Sequence, residues 1–146
     1  MSSSSDLSRL SAVELRELVR TRKASPLEIL DAHLAAIARF NPQFNAIVTL
    51  VEDQAREAAK KAEQKNGDGL PLHGLPVVIK DVTLTKGIRT TFGSPLYKDF
   101  VPDEDAAAVE RLRKAGAILL VSVPATIITS DCRGEARGAK PNRSAS

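Results

Sequence analysis

Lys80 is the residue whose setting asks for chemistry. In Pro76-Val77-Val78-Ile79-Lys80-Asp81-Val82, three β-branched residues run straight into a lysine. A solvated lysine would alternate with apolar neighbours or sit in a turn. Desolvation at the end of an apolar strand disfavours the charged form of a lysine, which fits it to act as a base or proton relay near neutrality. Equally, the four-carbon stem can snorkel and carry the ammonium to water. The strand alone leaves both readings open.

Other side chains are weighed against the same two standards. Asp81 follows Lys80 directly, so in a strand it points to the opposite face and reads as a structural hydrogen-bond acceptor rather than an ion partner. Ser94 is a hydroxyl in a glycine-containing loop and is expected to stabilise a turn. His73 lies in a loop and His33 on a helix, with no cysteine or carboxylate cluster at ligand spacing, so no metal is expected. G-x-x-x-x-G-K and G-x-G-x-x-G are both absent, and no cofactor is expected.

The stretch around Lys80 carries three ordered motifs. They are Leu72-His73-Gly74-Leu75-Pro76 leading to Lys80-Asp81, then Thr85-Lys86-Gly87 with Thr90-Thr91-Phe92-Gly93-Ser94, and finally Asp105-Ala106, Val109, Leu112 and Ala115-Gly116-Ala117. In order and spacing this resembles the amidase signature family, over roughly Ser11 to Val121. The resemblance implies a Ser-Ser-Lys relay that hydrolyses carbon–nitrogen bonds in amides. In that relay one serine attacks the carbonyl, a second passes protons, and the lysine, matched here by Lys80, draws the proton onward. A small amide is the implied substrate.

The sequence departs from that family in one respect. Both relay serines belong to a G-G-S-S-G-G-type segment far beyond the lysine, and these 146 residues contain none. Ser144 and Ser146 stand in Asn142-Arg143-Ser144-Ala145-Ser146, with no glycine for a tight loop. The resemblance is expected to stop after Val121, and the chain to be a truncated member with no activity alone. Charge supports a boundary: residues 1–131 hold 17 Lys and Arg against 17 Asp and Glu, whereas 132–146 hold four against one. That tail has little apolar surface to bury and is expected to be disordered.

The elements that must position Lys80 begin with helices. Ser11-Ala12-Val13-Glu14 is a capping box that starts a helix running to about Arg22. Ser25-Pro26-Leu27-Glu28 repeats it, with Leu27, Leu30, Leu34 and Ile37 as a buried stripe that Asn41-Pro42 should terminate. Residues 46–51 read as a short strand or an extended lead. In 52–64, Ala55, Ala58, Ala59 and Ala62 give a smooth packing face. The loop 65–71 is turn-rich and expected to be exposed. Asp103 and Asp105 are candidate caps for a helix to Lys114 that Gly116 ends, and the strand at 118–121 is apolar on both faces. The expected fold is α/β: N-terminal helices followed by an incomplete mixed sheet flanked by helices, as in the amidase signature fold. The expected divisions are a disordered 1–10, a partial domain over 11–130 and a disordered basic tail over 131–146.

Composition narrows the partners. Aromatic content of 3% leaves little for stacking on nucleic acid, and no specific nucleic-acid partner is expected. Cys132, the only cysteine, excludes an internal disulfide and reads as a free surface thiol. The N-terminus has neither a basic start nor an apolar run, and the uncharged 115–130 is too short to span a bilayer, so a cytoplasmic chain without membrane contact is expected. The alternative to an amidase polypeptide is a non-enzymatic partner-binding module. In the incomplete amidase polypeptide, unpaired strand edges are expected to promote self-association, whereas a monodisperse, cooperatively melting monomer would favour the module.

Overall fold

The computed structural model describes residues 7–65, 67 and 69–123. The tail 131–146, with Cys132, Ser144 and Ser146, lies outside the described residues. Of the segment 1–10 only 7–10 are described; there Leu7 is buried with Leu15, Ala24, Ile29, Ala32 and Leu75, and Leu10 packs against them.

Both capping boxes form. Helix α1 (Ala12–Arg20) starts where Ser11 Oγ accepts from Glu14 N and the Glu14 carboxylate accepts from Ser11 N. It ends two residues short of the expected Arg22, because Arg22 takes a left-handed φ of 54°. Arg22 N then donates to Val19 O and Lys23 N to Leu18 O, which satisfies the last carbonyls in a Schellman wrap. Helix α2 (Pro26–Phe44) has the same reciprocal cap between Ser25 and Glu28. Contrary to expectation it continues through Pro42. A proline this close to a helix end costs one backbone donor, and Asn41 compensates: its side-chain amide bonds both the N–H and the C=O of Ile47, while its carbonyl accepts from Asn45 N at 2.7 Å.

Strand β1 (Thr49–Leu50) leads into helix α3 (Glu52–Glu63), whose Ala55 and Ala59 are buried against Leu30 and Leu34 of α2. Small side chains here let the two helices approach closely. Strand β2 (Pro76–Lys80) and strand β3 (Ile118–Val123) are parallel, joined through a long loop, a 3-10 turn (Pro95–Tyr97) and helix α4 (Ala107–Lys114). The strand order is β1-β3-β2, with β1 antiparallel to β3, so the sheet is mixed. The register runs from Pro76 opposite Ile118 to Lys80 opposite Val123, with an irregularity after Val77.

The central strand is covered on both faces, as its apolar run implies. Ile118 and Leu120 pack on Leu30, Leu34, Ala55 and Ala59, whereas Leu119 joins Ile88 and Val109. Neither expected aspartate caps α4: its N-cap is Ala106, without a side-chain bond. Asp105 instead accepts from Lys86 N at 2.7 Å and pairs with Arg113 at 2.9 Å, tying the loop to the helix. Gly116, at φ 89°, ends α4 as expected. Its N–H donates to Arg113 O, and Ala117 N donates to Leu112 O. A Cβ on Gly116 would lie 3.0 Å from the His73 backbone, so this approach of β3 to β2 requires glycine. Among the described residues no helix is long and apolar enough to cross a membrane.

Candidate active site

Lys80 closes β2 at the carboxyl end of the parallel pair, where crevices open in α/β sheets. Its strand is less buried than the apolar run implies. Among the described residues β2 is an edge, paired only to β3; Val78 is 53% exposed and Lys80 is half-buried. Strand alternation sets Lys80 on the face opposite Ile79, whose side chain packs towards Ile88, Val109 and Leu119. The Lys80 ammonium has no hydrogen-bond or ion-pair partner among the described residues. Its carbonyl accepts from Thr83 N at 2.9 Å, which turns the chain sharply after the strand.

Asp81 fixes that turn. It is 1% exposed, and its carboxylate accepts from Thr91 N at 2.9 Å and from the Thr91 hydroxyl, while its carbonyl accepts from Phe92 N at 3.0 Å. The expected role as a structural acceptor is what the structure contains. It also explains why the Lys-Asp and Thr-Thr motifs occur together: one carboxylate binds the second motif to the end of the strand. Thr91 Oγ1 accepts in turn from Gly93 N at 3.2 Å. Ser94 behaves as expected of a turn residue, its hydroxyl accepting from Leu96 N at the start of the 3-10 turn.

Three features of the site escape a sequence reading. Arg89 reaches across to Val48 O and Thr49 Oγ1, both at 3.1 Å, and to Lys98 O at 3.2 Å, so it staples β1 to the loop. Asp105 acts as a loop tie rather than a cap. Phe92, Tyr97 and Phe100 form a ring cluster with centroids 5.2 to 6.1 Å apart. The first two are long-range contacts with no local pattern; the clustering of three of the chain's five aromatic residues within nine positions is the one available signal.

The histidines are engaged by backbone. His73 Nε2 lies 3.1 Å from Ala62 O and His33 Nδ1 lies 2.7 Å from Ile29 O. No group of three His, Cys, Asp or Glu that could hold a metal occurs among the described residues. A cavity of about 650 Å³ opens between α1, the start of α2 and the end of α3, lined by Arg16, Arg20, Arg22, Lys65 and His73 among others. Lys80 is not part of it. Glu28 and Glu63 line the same cavity and already occupy the amides at the start of α2, bonding Ser25 N and Leu27 N.

A half-buried lysine at the carboxyl end of a parallel strand, followed by a buried aspartate that fixes the turn, stands in an α/β fold whose central strand is covered on both faces. The sequence pattern of the Amidase family matches residues 28–142, and the chain belongs to that family. The match runs past Val121, the expected end of the resemblance. A glutamyl-tRNA(Gln) amidotransferase subunit from Granulibacter bethesdensis is 41% identical over 118 residues, which is 80% of this chain and 24% of that protein. Its counterpart from Thermoanaerobacter pseudethanolicus is 39% identical over 117 residues, 79% of this chain and 24% of that one. Among solved structures, the peptide amidase from Stenotrophomonas maltophilia superposes with a TM-score of 0.73 at 30% identity, covering 82% of this chain and 25% of the other. This chain thus spans about a quarter of the length of the relatives it matches.

Proposed function

We propose that this polypeptide carries the lysine portion of an amide-hydrolysing site, with Lys80 as the proton-relay lysine and a small amide as the substrate of the complete assembly. The observation that carries this reading is the position of Lys80 at the carboxyl end of a parallel strand, on a turn fixed by Asp81 and Thr91. The names of the relatives, a peptide amidase and one component of an amidotransferase, support a carbon–nitrogen bond as the target. A lysine kept neutral can draw the proton from a serine hydroxyl through a second hydroxyl. The serines belong to a glycine-rich segment that these 146 residues do not contain, so the polypeptide alone is expected to turn over no amide.

A chimera tests the role of Lys80. In it, this chain replaces the matched quarter of the Stenotrophomonas maltophilia peptide amidase. We expect peptide-amide hydrolysis by the folded chimera to fall at least 100-fold in Lys80→Ala, on the scale of losing a catalytic base; unchanged turnover would remove Lys80 from the mechanism. A second reading is a non-enzymatic module that binds a partner at its incomplete sheet, and one observation favours it. Both β1 and β2 are edges among the described residues, with Leu50 and Val78 exposed. Sedimentation with thermal melting separates the two: a monodisperse monomer with one sharp cooperative transition would favour the module, because the chain would then close its own core, whereas concentration-dependent oligomers would favour a portion of a larger fold.

A further inference from the structure

The cavity between α1, the start of α2 and the end of α3 measures about 650 Å³, a volume typical of small-molecule sites, and Lys80 takes no part in it. Arg16, Arg20, Arg22 and Lys65 line it. The Arg20 guanidinium is committed to Glu17, whose carboxylate accepts two bonds from it at 2.7 and 2.8 Å. The side chains of Arg16, Arg22 and Lys65 make no hydrogen bond or ion pair among the described residues. We propose that this cavity binds a small phosphate monoester, with Arg16, Arg22 and Lys65 around the phosphate and Val19, Pro26 and Leu70 against its apolar part.

Two observations set this cluster apart from a solvated surface. Glu28 and Glu63 line the same cavity, yet neither carboxylate pairs with a cation: Glu28 accepts from Ser25 N at 2.8 Å and Glu63 from Leu27 N at 3.3 Å. Both are engaged at the start of α2, and the three cations stay unpaired. The second observation is the conformation of Arg22. It holds the left-handed position after α1, at a φ of 54°, where glycine has no steric cost. An arginine there costs stability, and its side chain gains no bond within the described residues. What it adds is a third uncommitted cation in the lining.

The ligand class follows from charge and shape. A phosphate monoester carries a charge of about −1.5 to −2 at neutral pH and three strong acceptor oxygens, which suits three uncommitted cations, and guanidinium groups match its geometry. A carboxylate brings one charge and two oxygens. A polynucleotide would need a broad positive field, whereas residues 1–131 hold 17 Lys and Arg against 17 Asp and Glu. Val19, Pro26 and Leu70 give the cavity an apolar side that bare inorganic phosphate would leave unused. This site is independent of Lys80 and of amide hydrolysis.

Calorimetric titration of the full chain with phenyl phosphate in low-salt buffer tests it. We expect one molecule bound per chain, more tightly than inorganic phosphate, which has no apolar part, and more tightly than benzoate, which has a single charge. Affinity should fall about tenfold in Arg16→Gln and in Arg22→Gly, the scale of one hydrogen bond to a charged group. Arg22→Gly should also melt no lower than the parent, because glycine suits the left-handed position, so its loss of affinity cannot be a loss of fold. Arg111→Gln removes the same charge from an exposed place on α4 outside the cavity and should leave affinity within about twofold. Absence of binding overturns the proposal, as does parental affinity in Arg22→Gly or an equal loss in Arg111→Gln. Inorganic phosphate or benzoate binding as tightly as phenyl phosphate would also overturn it, the first by removing the apolar part from recognition and the second by removing the phosphate.

Discussion

The helices α1 to α3 and the loop that follows β2 are ordered by different forces. The helical region buries leucines, isoleucines and alanines: Ile29, Leu30 and Ala59 are fully enclosed. The loop encloses Ile88 but leaves Leu96, Tyr97, Phe100 and Val101 exposed, and holds its course with polar bonds, from Asp81 to Thr91, Arg89 to Val48 and Lys98, and Asp105 to Lys86 and Arg113. Burial is non-directional and tolerates rearrangement, whereas hydrogen bonds fix geometry at modest net gain. The contrast teaches that the segment nearest Lys80 is specified in shape rather than made stable by apolar contact.

Two leucines give the sharpest break. Leu30→Ala in the helical region should cost about 2–5 kcal/mol, the range for emptying an enclosed leucine site. Leu96→Ala in the loop should stay within about 0.5 kcal/mol, as exposed substitutions do. Urea unfolding of both variants decides it: comparable losses would erase the distinction between the regions.

The converse substitution probes the polar frame. Asp81→Asn keeps the shape but gives the Thr91 amide and hydroxyl a neutral partner in a buried site, and we expect a loss of about 1–3 kcal/mol. Amide exchange at Thr91 and Phe92 should quicken more than at Leu30. A variant whose loop amides exchange at the original rate would show that Asp81 does not hold this turn.

The smallest expected effect lies where the helical region itself depends on charge. Hydrogen bonds from the Ser11 hydroxyl and then its backbone N–H hold the Glu14 carboxyl below the ordinary range, and the Arg20 side chain does the same for Glu17. Depressed folded-state values contribute stability that is fully present above the unfolded glutamate pKa of about 4.3. That contribution is lost as the pH falls through the lower folded-state values. Both groups are solvent-exposed, so the change should be a slight fraying of α1 on acidification from pH ~5 to ~3, read from its amide chemical shifts. Fraying that began above pH ~6 would point to a different group.

What is legible in the sequence is what is local. Ser11 with Glu14 and Ser25 with Glu28 state both helix starts, because a capping box needs only residues three apart. The Leu27-Leu30-Leu34-Ile37 stripe and the two-faced strand are periodic signals, and both pack as their periods imply. Pro42 misleads because its cost depends on distance from the helix end and on the Asn41 clamp, which involves Ile47. Asp105 misleads because a carboxylate next to a helix start can serve a distant amide as readily as a nearby one. Arg89 gives no signal, since two of its three acceptors lie some forty residues away and the third is a backbone carbonyl. At the candidate site the Lys80-Asp81 pair is legible as a motif. That β2 is an edge is not, because a run of β-branched residues does not say how many neighbours its strand has.

The strand order β1-β3-β2 also sets a timetable. A nascent chain emerges from its N-terminus, so α1 to α3 can pack as they appear, while β1 and β2 each wait without a neighbour. Their shared partner, Ile118–Val123, is the last of the described elements to be made, and it inserts between them. The sheet therefore does not grow strand by strand. Translation halted before residue 118 would yield the described helices without the described sheet, and the six residues Ile118–Val123 would join its three strands at once.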